Sequence, residues 1–146
     1  MTTTKRPHFF FKSALIALAA AGMSAAGAMD VTIEVSNVES AEGNLNVAIY
    51  DNAADLEKRS TYRAKRQPAA QGKMEIVFKD MPAGEYGVML YQDINGNNEL
   101  DTNLLGIPTE PWSASLLGRS VFGAPGWEDI NFKLPEAGDR IKIDMN

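Results

Sequence analysis

Apolar and polar residues alternate strictly along several short stretches of the chain. In residues 31–35, Val31, Ile33 and Val35 occupy one face and the intervening polar residues the other. The same period of two recurs five more times, with apolar positions at Leu45, Val47 and Ile49; Met74, Ile76 and Phe78; Tyr86, Val88 and Leu90; Ile130, Phe132 and Leu134; and Ile141, Ile143 and Met145. Such alternation, bounded by Gly, Pro, Asn or Asp, is typical of half-buried strands. The pattern predicts an all-β fold.

The number of these stretches predicts how the strands are arranged. No segment has a long helical period, and about seven short strands in a chain of this length favour an antiparallel Greek-key β-sandwich of the immunoglobulin-like kind. The connection over residues 51–72 is the first long interruption. Within it, Asn52 and Asp55 are suited to the start of a short helix, where a capping oxygen and a negative charge are favourable.

The same connection carries five of the bases that lie outside the N-terminal segment: Lys58, Arg59, Arg63, Lys65 and Arg66. One interpretation is a contact for an anion or a lipopolysaccharide. The other is a solvated crossover, because charge runs usually face water and only Tyr62 interrupts this one. We favour the solvated crossover, and it predicts that these charges contribute little to stability.

Residues 1–28 have the features of an export signal. Lys5, Arg6 and Lys12 form a basic start, residues 13–26 form a short apolar run, and Ala26-Gly27-Ala28 offers a small-residue cleavage site. The run is shorter than the roughly 18 residues of a membrane span. We therefore expect cleavage after Ala28, a periplasmic or secreted location, no integral membrane span after cleavage, and a single domain over residues 29–146.

Charge and composition narrow the function. The chain has 14 Lys plus Arg and 19 Asp plus Glu. Three bases and no acids lie in residues 1–28, so the mature part has 11 bases, 19 acids and a net charge of 11 − 19 = −8. This charge argues against nucleic acid and anionic membrane surfaces as partners. The chain has no Cys, and its one His, His8, lies in the signal. A Ser-His-Asp triad, a thiolate nucleophile and a zinc site built from His and Cys are therefore excluded from the mature part.

The candidate site is the polar stretch that follows the strand predicted around residues 86–90. Oxygen-bearing side chains recur at Asp93, Asn95, Asn97 and Asp101. In an EF-hand-type loop, ligands come from positions 1, 3, 5 and 9 and from the backbone carbonyl at position 7. With Asp93 at position 1, the carbonyl belongs to Glu99, and these five residues predict a calcium site.

The loop also departs from that pattern. Leu104 stands at position 12, where a bidentate carboxylate is expected, and Asn98 rather than Gly stands at the turn position 6. Glu110, Glu128 or Asp129 can supply the missing carboxylate. The competing interpretation is a metal-free polar turn, because Asn-Gly and neighbouring Asx residues favour turns by themselves.

Several motifs together resemble a known family. The Phe78-x-x-x-Pro82-x-Gly84-x-Tyr86 hairpin is similar to that of prealbumin-like and collagen-adhesin B-type sandwich domains. With the 91–101 loop, Leu105-Gly-Ile-Pro108, Phe122-Gly-Ala-Pro125 and Trp127-Glu-Asp129, it resembles the exported bacterial family called domain of unknown function 2141. The resemblance covers essentially the whole mature chain and implies a sandwich fold and an exported location. The chain departs from it at Trp112-Ser-Ala-Ser115, where an aromatic-Ser-Asn-Asn stretch is expected.

Residues 104–127 form a long apolar connection broken by Gly and Pro. Its larger side chains, Trp112, Leu116, Leu117, Val121, Phe122 and Trp127, predict a satellite core packed over the sheet. An aromatic ligand patch beside the loop is the alternative, because loops on a rigid scaffold often carry binding sites.

Three functions are compatible with these features. The leading hypothesis is an exported, non-enzymatic β-sandwich that is stabilised by calcium and binds a protein or cell-surface partner. A carboxylate-based hydrolase acting on glycans through Asp93, Asp101, Glu99 or Glu128 is the second. A carrier of a small apolar ligand held under the 104–127 connection is the third.

Overall fold

The computed structural model describes residues 27–117 and 123–145. Its strands are β1 (Met29–Val38), β2 (Asn44–Tyr50), β3 (Arg63–Pro68), β4 (Gly72–Met81), β5 (Gly84–Asp93), β6 (Trp112–Ala114), β7 (Asn131–Leu134) and β8 (Arg140–Asp144). Its helices are α1 (Ala53–Lys58) and α2 (Trp127–Ile130). The six alternating stretches correspond to β1, β2, β4, β5, β7 and β8.

The strands form two sheets, which confirms the predicted β-sandwich. One sheet has the order β4-β1-β8, and the other has the order β3-β2-β5-β6, with β7 also paired to β5. Every named pair is antiparallel except β1 with β8, which run parallel with Ile33 opposite Ile141. Alternation shows which face of a strand is buried but not the direction of the neighbouring strand. The parallel pair could therefore not be predicted from the sequence pattern.

The core lies between the two sheets and contains the predicted apolar positions together with Val38 and Met81, except for Ile130, which was predicted on a strand and is the last residue of α2. Val31, Ile33 and Val35 of β1 face Leu45, Val47 and Ile49 of β2 and the inward residues of the remaining strands. Each of these six side chains is at most 1% exposed. The predicted Pro82 hairpin joins β4 to β5, and the hydroxyl of Tyr86 donates back to the carbonyl of Pro82 at 3.0 Å. These contacts fix the end of β5 opposite to the one from which the candidate site extends.

The connection over residues 51–72 differs from the expectation in part. Helix α1 is present, and the Oδ1 of Asn52 caps it by accepting the backbone N–H of Asp55 at 2.8 Å. The rest includes strand β3, which sequence reasoning missed because Arg-Ala-Lys-Arg-Gln-Pro contains no apolar alternation.

The bases on β3 reach water, as the solvated-crossover interpretation expects, but Arg63 and Lys65 also make hydrogen bonds within the fold. Lys65 lies opposite Val47, whose side chain faces the core, so Lys65 leaves β3 on the core side of the sheet. The Nζ of Lys65 donates to the carbonyl of Val77, and Arg63 donates to the carbonyls of Lys79 and Asp80. These side chains therefore bridge the gap between the edge strands β3 and β4.

The predicted signal falls largely on residues 1–26, which lie outside the described residues, as do Val121 and Phe122. Strand β1 begins at Met29, the residue at which the predicted mature chain starts.

Candidate metal centre

The candidate loop extends from the last residue of β5, Asp93, whose side chain is fully buried. Asp93 lies opposite Asn44, the first residue of β2. The β1–β2 turn packs directly against this point, since a Cβ added to Gly43 would lie 1.9 Å from the carbonyl oxygen of Asp93. Gly43 also has a positive φ of 68°. A glycine is therefore required here for two reasons, its conformation and its close approach to the site.

The loop wraps around the carboxylate of its first residue. The Oδ1 of Asp93 accepts the backbone N–H groups of Gly96 at 2.7 Å and Asn97 at 3.1 Å, and its Oδ2 accepts that of Asn98 at 3.0 Å. Asn98 has a φ of 66°, as expected for a residue at the sharp turn. These three hydrogen bonds fix the backbone of the loop around Asp93, and they are compatible with both a calcium site and a metal-free turn.

Three of the other predicted residues converge on one another. Asn95 and Asn97 each donate an amide hydrogen to Asp101, at 2.5 Å to Oδ2 and 2.9 Å to Oδ1. The oxygens of the two amides accept the backbone N–H groups of Asn97 and Glu99, at 3.0 Å and 2.9 Å. The structure thus brings Asn95, Asn97 and Asp101 together at the surface. Glu99 belongs to the predicted set through its carbonyl, and as a residue it is exposed.

Glu110 closes the loop from the opposite side. Its Oε1 accepts the backbone N–H of Ile94 at 2.9 Å, and its Oε2 accepts that of Asp101 at 3.2 Å. The residue is 7% exposed. One carboxylate therefore ties the second position of the loop to the ninth.

The other two acids named for this role lie elsewhere. Glu128 and Asp129 are on α2, which packs beside Gly87, since a Cβ there would lie 2.9 Å from Ile130. Gly87 is six residues before Asp93 on β5, a separation of about 20 Å at roughly 3.3 Å per residue. Of the three acids, only Glu110 lies at the loop.

A cation from β3 also reaches the site. The Nη2 of Arg66 lies 3.9 Å from the Oδ2 of Asp93, and its Nη1 donates to the Oδ1 of Asn98. Sequence reasoning missed this role because it assigned no strand to residues 63–68. The position of Arg66 beside the loop depends on the pairing of β3 with β2. Arg66 is opposite Asn46, and Asn46 is opposite Tyr91, two residues before Asp93.

The electrostatics at the base of the loop are dominated by acids. Burial raises the pKa of the Tyr91 hydroxyl, and the negative charges of Asp93 and Glu110 raise it further, whereas Asn46 and Arg66 lower it. Along the chain, residues 80–118 contain six acids and no base. Within the part of the chain that the structure describes, Arg66 is thus the one positive group in contact with a loop rich in oxygen ligands.

The chemistry of these groups fits a hard cation better than a soft one. Carboxylate, amide and carbonyl oxygens are the ligands of calcium, whose coordination is flexible. Within residues 27–117 and 123–145, no three or more His, Cys, Asp or Glu side chains are grouped as a metal site. The candidate set therefore depends on two amides and a carbonyl as well as the carboxylates of Asp93 and Asp101. Each amide directs its nitrogen toward Asp101 and its oxygen toward a backbone N–H, so both amides must rotate before their oxygens act as ligands.

The 104–127 connection packs in part as predicted. Trp112 is half-buried on β6 and pairs with Tyr91, while Leu116 is 65% exposed and does not join a core. Ser115 is fully buried, and its Oγ accepts the backbone N–H of Val88 at 2.9 Å and donates to the carbonyl of Ile130 at 2.5 Å. Where the family resemblance led us to expect an Asn stretch, this serine joins β5 to the end of α2.

A β-sandwich with a polar loop after a central strand defines the class of this protein, and the family comparison agrees. The model of the family described as "Uncharacterized protein conserved in bacteria (DUF2141)" matches residues 33–142. The chain belongs to this family. Comparisons with curated proteins and with solved structures found no match. Among the described residues, no helix has the length and apolar character needed to span a membrane.

Proposed function

We propose that this protein is an exported, non-enzymatic β-sandwich module that binds calcium in the 93–101 loop and binds a protein or cell-surface partner. The observation that carries the calcium proposal is the convergence of Asn95, Asn97 and Asp101 beside the buried Asp93. Four oxygen-bearing side chains in one loop, at positions 1, 3, 5 and 9, match the spacing of a calcium loop.

Glu110 supports the same proposal. A calcium loop needs a carboxylate in place of the leucine at position 12, and Glu110 already contacts both ends of the loop backbone. Each of its oxygens accepts one hydrogen bond and retains a further lone pair. We assign to Glu110 the role of the additional acidic ligand.

The affinity we expect is low. The loop has two carboxylates of its own, and Arg66 places a positive charge 3.9 Å from one of them. Extracellular calcium modules of low ligand charge bind with Kd on the order of 10⁻⁴–10⁻³ M. This value suits an exported protein, because calcium outside the cytoplasm reaches such concentrations.

The positions of the acids give the hydrolase hypothesis little support. Of the acids that this hypothesis names, Asp93 accepts three backbone N–H groups and Asp101 accepts the amides of Asn95 and Asn97, while Glu128 lies on α2 and not at the loop. A catalytic pair needs one carboxyl group free to transfer a proton and another free to attack the sugar or activate water. We therefore assign the loop to ion binding and not to catalysis.

Nuclear magnetic resonance of the ¹⁵N-labelled mature protein tests the site directly. Calcium titrated into chelator-treated protein is expected to shift the backbone N–H signals of residues 94–101 first, with saturation near millimolar calcium. The N–H of Glu85, at the other end of β5, is the internal reference and is expected to stay in place. Saturable shifts at residues 127–131 with none in the loop would exclude this site.

A further inference from the structure

The exposed apolar side chains of the described residues are concentrated next to the candidate metal centre. Leu104, Leu105 and Ile107 are 105%, 82% and 55% exposed, and Ile94 is 41% exposed. The first three occupy a hairpin whose stem is closed by the bridge between Thr102 and Pro108. We call residues 103–107 the apolar tip. A contiguous apolar projection of this kind marks an interaction site on a water-soluble fold.

Most backbone N–H groups of the apolar tip are satisfied within it. Asn103 donates its N–H to the carbonyl of Ile107 at 2.8 Å, and its Oδ1 accepts the N–H groups of Leu105 and Ile107 at 2.9 Å and 3.1 Å. Gly106, with a φ of 76°, donates to the carbonyl of Asn103 at 2.9 Å. Four of the five N–H groups in the tip therefore have partners within it. These internal hydrogen bonds lower the cost of moving the four N–H groups from water into an apolar medium.

The size and shape of the apolar tip favour a lipid surface over a protein partner. Stable protein interfaces bury about 20–30 residues on each side, but the tip offers only three side chains at its end. Lipid requires no complementary shape, and each leucine transferred into it contributes independently. The residues from Thr102 to Thr109 also carry no charge that would have to be desolvated. We propose that the apolar tip inserts Leu104, Leu105 and Ile107 into the interface of a zwitterionic lipid surface.

This inference rests on the proposed binding-module function and names the surface that the module binds. Charge specifies the kind of lipid. Residues 80–118 carry six acids and no base, and Asp101 adjoins the stem, its carbonyl accepting the N–H of Thr109 at 2.8 Å. Anionic lipids repel such a segment unless a cation neutralises the loop. Zwitterionic vesicles are therefore bound in chelator, whereas anionic vesicles are bound only when calcium is present.

Sedimentation with phosphatidylcholine vesicles in chelator tests the insertion. The parent protein is expected to bind, and the double variant Leu104→Ser/Leu105→Ser is expected to lose roughly tenfold or more in partitioning, because two large apolar side chains no longer enter the lipid. Leu116→Ser is the matched control, since Leu116 is 65% exposed but lies outside the tip. All three proteins are expected to have the same melting temperature. Equal binding by the parent and the double variant, or equal loss in the control, overturns the proposal.

Because the chain has no Cys, a single fluorescent label reports the position of the tip. An environment-sensitive dye on Leu105→Cys is expected to shift to the blue with vesicles, and the same dye on Glu57→Cys, in α1, is expected not to shift. Absence of the shift at Leu105→Cys overturns insertion. A parent protein that is dimeric without lipid, with a monomeric double variant, also overturns it and identifies a second copy as the occupant. The sedimentation experiment is done in chelator, so a protein that does not bind vesicles can still bind calcium. Likewise, a protein that does not bind calcium can still bind zwitterionic vesicles.

Discussion

Arg66 and Asp93 form an ion pair between strands β3 and β5, with the Nη2 of Arg66 3.9 Å from the Oδ2 of Asp93. The side chain of Arg66 is 43% exposed, whereas that of Asp93 is fully buried. The guanidinium therefore partly neutralises a carboxylate that water does not reach. It also places a positive charge where a bound cation would be repelled.

Arg66→Gln is expected to bind calcium more tightly than the parent, by roughly threefold to tenfold, because a unit charge near the ion is removed. The same variant in chelator is expected to lose up to about 1 kcal/mol of unfolding free energy, since Asp93 loses an ionic partner that water partly screens. Calorimetric titration and denaturant unfolding measure the two effects. Lys58→Gln, which removes a base from α1, is the control and is expected to change neither. Unaltered affinity in Arg66→Gln would show that the ion, if bound, is not near Asp93.

Gly43→Ala is expected to destabilise the protein by at least about 2 kcal/mol, since it adds a steric clash to backbone strain. The clash is specific, because the new Cβ would lie 1.9 Å from the carbonyl oxygen of Asp93. Gly138→Ala separates the two causes, since Gly138 has a φ of 80° but a Cβ added there would meet no atom within 4 Å. Denaturant unfolding of both variants gives the comparison. Equal destabilisation would mean that the β1–β2 turn does not press against the site.

Arg63→Gln/Lys65→Gln is expected to lower stability by roughly 1–2 kcal/mol, because each charged side chain hydrogen-bonds to backbone carbonyls of β4. Inward-pointing charges of this kind also protect sheet edges from pairing with other chains. The variant is therefore expected to aggregate faster on heating, as measured by light scattering. Glu57→Gln/Lys58→Gln, on α1, is the control. A double variant as stable as the parent would restore the view that these bases are simply solvated.

The alternating stretches were sufficient to predict the β-sandwich, because a strand with one face on the core must place apolar residues at every second position. It did not contain β3, whose inward positions are Arg63, Lys65 and Gln67. The long side chains of Arg63 and Lys65 reach past the core to a neighbouring edge, so the inward face of β3 leaves no apolar signal. Strand β6 has only three residues and is too short for a period to be recognised.

The candidate site was predictable where it is local and not where it is assembled from distant segments. Asp93, Asn95, Asn97 and Asp101 fall within one loop, and their spacing identified them. Glu110 was one of three open alternatives, because its approach depends on the path of the hairpin between Asp101 and Glu110. Arg66 depends on the pairing of β3 with β2 and had no local signal.

The mature protein is expected to begin at Met29, after cleavage at Ala26-Gly27-Ala28. The first strand starts at Met29, so cleavage there removes no residue of the sandwich. Intact mass spectrometry of the exported fraction measures the start. A mass that includes residues 1–28 would contradict the prediction.

The most direct test of the calcium loop is thermal unfolding in chelator and then in millimolar calcium. At ten times Kd, mass action stabilises the parent by about 1.4 kcal/mol, which corresponds to a rise in melting temperature of roughly 5 °C for a domain of this size. Magnesium is expected to do less, because it requires a tighter octahedral geometry.

The informative variant is Asp101→Asn, which removes a ligand charge at the surface and leaves the buried Asp93 in place. Its calcium-dependent rise is expected to be less than half that of the parent, while Asp139→Asn, in the β7–β8 turn, is expected to match the parent. If calcium changes none of the three melting temperatures, the loop is a metal-free turn. If it raises the melting temperatures of the parent and Asp101→Asn equally, the ion binds elsewhere.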